Sequence, residues 1–432
     1  MKFLLETPDP VTVLGQQVSL MWIVIGAALV IFMQAGFALV ETGMTQAKNA
    51  AHVVSTNFAI FGLGFIGFYL VGFAFSFGGF SYSAFGMDAP VGSALLGSGD
   101  WIFLWKGGWA LSGSAITPAV VGFFLYMVAF MDTVATIPTG SMAERWKWNS
   151  FVLWGFFCGA IYYPIIAAWT WGGGWLAKTW SSMSLGAGYV DFAGSGVVHA
   201  VGGVAAFTGA IVLGPRIGKF GADGKPRTIA GHHVPMAMLG TFILLFGWFG
   251  FNAGSALGAN GDAVIAFANT NIASATSMIT WVFYDRFMNK KISAVGACIG
   301  AIVGLVAITP AAGFVTIGHS AFIGFCAAII SNITISIMKK SVIDDALDVF
   351  ATHGVGGIVG MLLTSVFANE VGLIYGNYQT FILHLIALIL VLIFVSIGSY
   401  AIYYFVDLLL PLRVREDQEL RGLDLSQHGE NI

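Results

Sequence analysis

Two histidines sit in matching local sequence, His199-Ala200-Val201-Gly202-Gly203 and His353-Gly354-Val355-Gly356-Gly357. Each follows an acidic residue, Asp191 in the first case and Asp348 in the second, and each lies in or at the edge of an apolar run long enough to cross a membrane. An ionisable side chain at membrane depth is costly and marks a functional site by default. A neutral imidazole can donate a hydrogen bond through one ring nitrogen, accept through the other, and pass a proton between them. A lone buried histidine is more often a packed core residue; the repetition shifts the balance toward a site where two related halves of the chain meet.

Other side chains with chemical capacity surround these motifs. Asp191 opens the first one and can cap the helix that follows, complementing its dipole, or take part in deprotonating a solute. Phe251-Asn252-Ala253-Gly254-Ser255 ends another apolar run and places a hydroxyl near the membrane surface. Trp171, followed by three glycines, ends a further run; alone it reads as an interfacial aromatic anchor. Phe130 alone reads as core or lipid-facing. Asp132, two residues on, is a second intramembrane acid for which the sequence names no partner. Cys158, Cys298 and Cys326 all fall in apolar stretches and form neither a disulfide nor a metal framework. Neither a metal nor a cofactor is expected.

The elements that carry these groups follow from composition. The chain is 57% hydrophobic and 9% charged, against about 25% charged in a soluble domain. It is an all-α polytopic membrane protein. Stretches of about 20 apolar residues occur at 18–40, 50–78, 117–141, 149–171, 195–214, 233–257, 264–285, 292–309, 318–338, 346–368 and 379–410, which makes eleven transmembrane helices. With the N-terminus outside, only Lys2, Lys106 and Lys178 of the 18 basic residues lie on the outer side. That asymmetry places the C-terminus in the cytoplasm. Eleven spans resolve into five plus five and one extra C-terminal helix, and an odd number per half makes the second half enter from the opposite side, an inverted repeat. The histidine motifs then occupy spans five and ten. The last span is long enough to require tilt. Residues 1–410 form one domain and 411–432 an intracellular tail. The expected setting is a lipid bilayer, the cell (inner) membrane; no nucleic-acid partner is expected.

Asp191-Phe-Ala-Gly-Ser-Gly-Val-Val-His199, Phe251-Asn-Ala-Gly-Ser255, Asp348-Val-Phe-Ala-Thr-His353-Gly-Val-Gly-Gly and Ala143-Glu144-Arg145 together resemble the ammonium transporter family, which includes methylammonium permeases and Rhesus glycoproteins. The likeness is to the bacterial or archaeal type and covers essentially the whole chain, including the tail motif Gly422-Leu-Asp-Leu-Ser-Gln-His-Gly429. The resemblance implies an outer recruitment site from Phe130, Trp171 and Ser255. It implies a gate of Phe130 and Phe251, and a pore lined below it by His199 and His353. It further implies a homotrimer with one pore per subunit and docking of a P-II signalling protein at the cytoplasmic face. Two departures bear on the outer vestibule. Tyr126 stands where many members have a second phenylalanine, and the segment between Trp171 and Asp191 is longer than in short bacterial members.

The chemistry suits ammonium. Aromatic faces attract a cation by roughly 0.5–2 kcal/mol, and a serine hydroxyl can accept one of its hydrogen bonds. Moving a bare ion into a low-dielectric pore costs on the order of 20 kcal/mol. Releasing a proton removes most of that cost, an escape open to ammonium and closed to potassium. The expected activity is therefore recruitment of the cation and passage of ammonia, with no enzyme chemistry. The competing readings are a membrane ammonium sensor and a Rhesus-type neutral gas channel. A haem enzyme using both histidines is remote, since His52, His319 and His384 have no repeated context.

Overall fold

The computed structural model describes residues 9–430. Lys2, one of the three outer basic residues, and residues 431 and 432 at the end of the tail lie outside the described part. Among the described residues nine helices are long and apolar enough to cross a membrane. They are α1 (Pro10–Met44), α2 (Ala47–Phe77), α3 (Pro118–Met142), α4 (Trp148–Trp169), α5 (Ser195–Leu213), α6 (Val234–Gly254), α9 (Ile317–Met338), α10 (Phe350–Phe367) and α11 (Tyr378–Leu409). Two further helices stand where the sequence places spans seven and eight. The more polar α7 covers Gly261–Tyr284, and α8, Ala294–Ile308, is only 15 residues long. Side chains that point outward are mostly Ile, Leu, Val and Phe, such as Ile386, Ile389 and Ile393 on α11. This is the arrangement of a protein solvated by lipid.

Helix boundaries follow local chemistry. The first helix begins eight residues before the apolar run because Asp9 caps it, accepting from the Thr12 amide at 3.2 Å, and Pro10 fits its first turn. At 32 residues α11 is about 48 Å long, well beyond a hydrocarbon core of about 30 Å. One departure from an all-helical fold appears between α2 and α3. There β1 (Ser93–Ser98) and β2 (Trp101–Lys106) form an antiparallel hairpin, and Ile102 accepts from the Trp175 amide at 3.0 Å, tying it to the segment after α4.

Packing repeats with a shift of five helices. The pairs α1–α2, α1–α3, α2–α4 and α3–α5 recur as α6–α7, α6–α8, α7–α9 and α8–α10. Equivalent helices meet antiparallel across the centre. Along α1, Gly26, Gly36 and Gly43 face Gly254, Gly240 and Ala237 of α6 in descending order. In the same way Gly203 faces Gly354 while Gly357 faces Ala200, so α5 and α10 cross head to tail. A Cβ on Gly203 would sit 2.2 Å from the Gly354 nitrogen. Only glycine permits this approach, and it brings the two histidine-bearing segments together.

The tail is folded onto the protein. Lys48 Nζ donates to the Glu419 and Leu420 carbonyls, Asp424 accepts from the His52 amide, and Asn49 accepts from the Leu423 amide. Beside it, Arg216 is paired with Glu144 and Asp344, all three side chains buried. Burial alone would raise the Asp344 carboxyl. Hydrogen bonds and charge from Arg216, with Arg145 behind it, instead hold it well below the ordinary carboxylate range.

Candidate functional site

The opening turns of α5 and α10 are both π-helical, over Ser195–Ala200 and Phe350–Val355. Such widened turns occur at functional sites, where they re-aim side chains. Asp191 holds the first in place. Its carboxylate accepts from the amides of Gly194, Ser195, Gly196 and Val197 at 2.8–3.0 Å. Four amides saturate the carboxylate and complement the positive helix end. Gly194 reaches this geometry with φ +112, a conformation that penalises any other residue, and Trp171 packs 2.8 Å from where its Cβ would stand.

The second half repeats the device with a different residue from the one the sequence suggested. Asp345 accepts from the Phe350 amide at 2.7 Å and is buried, while Asp348 reaches out to Lys339 at 3.8 Å. Asp345 precedes His353 by the same eight residues that separate Asp191 from His199. That spacing was the available signal; proximity to the histidine favoured Asp348.

The structure brings the two histidines into contact, with Nδ1 of His199 and Nδ1 of His353 3.2 Å apart and their rings 25° from parallel. One nitrogen must donate and the other accept, so the pair shares one proton along this line. His199 is fully buried, and its Nε2 has no hydrogen-bond partner among the described residues. It faces aromatic carbon instead. Trp248 stacks on it at 5.0 Å and Phe251 lies at 5.4 Å. The Trp248 indole is pinned by donating to Thr309 Oγ1 at 2.9 Å.

Above the histidines, Phe130 and Phe251 close on each other with ring centroids 4.3 Å apart, and neither is exposed. Phe130 in turn meets the Trp171 ring edge-on at 5.5 Å and the Tyr126 ring at 4.8 Å. Trp171 and Ser255 are both partly exposed. Trp171 Nε1 donates to the Asp191 carbonyl at 2.8 Å, so the carboxylate that caps α5 belongs to a residue that also orients the tryptophan. Ser255 Oγ donates to the Phe251 carbonyl at 2.8 Å and lies 3.1 Å from the Tyr126 hydroxyl. All seven residues expected from the sequence thus fall in one column, from a partly exposed mouth to a buried histidine pair. Asp132 does not join it: it is buried, and its Oδ1 has no hydrogen-bond partner among the described residues.

Four contributors escaped the sequence reading or were given another role in it. Tyr126 was read as shaping the vestibule, yet it ties Ser255 to Phe130. Trp248, Phe251 and Ser255 share one face of α6 at helical spacing, which could have singled out Trp248. Below His353, Phe37 on α1 packs its ring 6.2 Å away, and a cavity of about 40 Å³ begins. Its lining is apolar except for Thr352, His353 and Glu41. A single acidic residue in a long apolar helix was visible in the sequence, but nothing there aimed it at the column.

Known proteins resemble this chain over nearly its whole length. The model of the Ammonium Transporter Family matches residues 21–432. The ammonium transporter Amt2 of Archaeoglobus fulgidus is 37% identical over 95% of this chain and 87% of its own. The ammonium transporter of Bacillus subtilis is 37% identical over 94% and 95%. Among solved structures, a sensor Amt protein superimposes with TM-score 0.85 at 31% identity, covering 96% of this chain and 99% of its own. Candida albicans Mep2 superimposes with TM-score 0.80 at 30% identity, covering 95% and 89%. The chain is a multi-pass membrane protein that belongs to the ammonium transporter family.

Proposed function

We propose that this protein moves ammonium across the cell (inner) membrane by taking up the cation at the mouth and passing ammonia along the histidine column. The observation that carries this reading is the continuous stack Trp171–Phe130–Phe251–His199–His353, partly exposed at one end and buried at the other. At the mouth, π faces attract the cation and the hydroxyls of Ser255 and Tyr126 offer lone pairs. The phenylalanine pair then blocks a hydrated ion. A bare ion below it would lose hydration worth on the order of 20 kcal/mol, so the proton leaves and the neutral molecule continues. The unpartnered His199 Nε2 can hydrogen-bond a molecule that is itself both donor and acceptor. Asp191 acts in this scheme as the cap that positions α5 and Trp171.

All eleven helices cross the membrane in this proposal, α7 and α8 included, with the N-terminus outside and the C-terminus in the cytoplasm. Three copies assemble, each with its own pore, and a P-II signalling protein is the proposed cytoplasmic partner. The protein is a conductor and not an enzyme. The test is current and uptake in proteoliposomes after an ammonium jump. His199→Leu and His353→Leu should lower the ammonium current while the protein keeps its assembly and thermal stability. Full current in a stable double-leucine protein would sink the proposal. A wild type that binds ammonium and passes none would support the sensor reading, which the likeness to a sensor Amt protein keeps in view.

A further inference from the structure

Below the histidine pair the column ends at a carboxyl. Glu41 is 5% exposed and follows Phe37 by one helical turn on the same face of α1, so it lies next in line after His353. Both line the cavity of about 40 Å³, space for at least one water-sized molecule. The elements around that cavity contribute otherwise apolar groups, such as Ile137 of α3, Leu244 of α6, Ile302 of α8 and Val349 before α10. His353 is the one other titratable group in its lining among the described residues.

The hydrogen bonds of Glu41 fit two protonation states. Asn57 Nδ2 donates to Oε2 at 2.8 Å. Thr139 Oγ1 lies within hydrogen-bond distance of both Glu41 Oε1 and the Thr136 carbonyl oxygen. One hydroxyl hydrogen serves only one of these oxygens. When it goes to Thr136, the contact with Oε1 needs a proton from the carboxyl. When the carboxyl is ionised, the hydroxyl turns to it. A carboxyl that is satisfied either way can give and regain a proton with only a rotation of the Thr139 hydroxyl.

We infer that Glu41 is the proton-transfer residue at the inner end of the column, an assignment that rests on the transport reading above. Neutral Glu41 gives its proton to ammonia arriving past His353, leaving a carboxylate and releasing ammonium into the lower vestibule. The carboxylate then takes a proton from His353, which is recharged through the His199–His353 hydrogen bond by the proton released at the mouth. One ammonium leaves the outside and one appears inside for each cycle.

The experiment compares wild type with Glu41→Gln in proteoliposomes after an ammonium chloride jump. It records current on a solid-supported membrane and ammonia entry as alkalinisation of an internal dye. Glutamine keeps the shape and can still meet Asn57 and Thr139, but it carries no transferable proton. The current should fall about 100-fold, the lower part of the range for a positioned general acid, and internal alkalinisation, which proton-coupled delivery suppresses in the wild type, should appear. Wild-type current in Glu41→Gln overturns the inference. If that variant does not fold, Thr139→Val removes only the hydroxyl that can donate to the carboxylate. The pH profile of the current should then shift upward, and an unchanged profile overturns the inference. Alkalinisation without current in the wild type also overturns it and leaves ammonia passage standing. Neither signal in the wild type refutes the transport reading itself.

Discussion

At the scale of single residues, the mouth and the histidine pair should separate cleanly in kinetics. Trp171 and Ser255 are partly exposed, and in the proposed scheme they meet the solute first. Losing a cation–π contact of roughly 0.5–2 kcal/mol should raise the half-saturating ammonium concentration of Trp171→Ala by about 2- to 30-fold. Ser255→Ala should act in the same direction, and the maximal rate should change less in both. Uptake kinetics read this directly, and unchanged half-saturation in both variants would remove the recruitment role. Deeper in, the barrier is charge burial. Replacing His353 with glutamate supplies a fixed negative partner for a bare cation, so His353→Glu should carry more potassium than the wild type. A potassium current measured beside the ammonium current checks it.

At the scale of elements, the site depends on the caps and ion pairs that anchor its helices. Asp344 sits in the turn before α10 and takes two side-chain hydrogen bonds from Arg216, at 2.8 and 3.0 Å. Removing one member of a buried pair strands the other and costs about 3–5 kcal/mol. Asp344→Asn should therefore lower thermal stability, because Arg216 keeps only Glu144. The pair also sets a pH dependence. The native carboxyl titrates below its unfolded counterpart, which has a value of about 3.9. Its contribution is thus complete above that value and is lost as pH falls toward the depressed native one. Melting temperatures across this acid range should drop more steeply for the wild type than for Asp344→Asn. Parallel curves would assign the pair no role.

At the scale of the whole molecule, the tail is the element whose placement matters most. Its polar sequence suits a solvated terminus equally well, yet it closes over the start of α2. The Glu419 side chain bonds both Arg413 and the amide of Ile217, and His428 lies 3.1 Å from His52 Nδ1. Elements reached by the tail also carry the site, since α2 supplies Asn57 to Glu41. Truncation after Leu412 should leave an assembled protein whose transport rate or P-II binding differs from wild type. Identical transport and binding would make the tail a passive cover.

Much of this protein was determined by the sequence alone. Lipid leaves a chain no option but to satisfy its backbone internally, so long apolar runs sufficed to place the nine long membrane helices to within a few residues at most ends. Repetition of the histidine-glycine motif was enough to expose the two halves. The column from Trp171 to His353 was legible through motif resemblance. Caps were harder, because Asp345 and Asp348 offer the same chemistry three residues apart and only the path of the backbone selects between them. Span eight shows the same limit: its run was counted as 18 residues, and the helix that forms has 15. That Glu41 lines the cavity beside His353 was decided by tertiary structure. Its direction depends on the antiparallel packing of α1 against α6 and on where α3 and α10 close around it. Those are contacts between residues about a hundred to three hundred positions apart, and no local pattern encodes them.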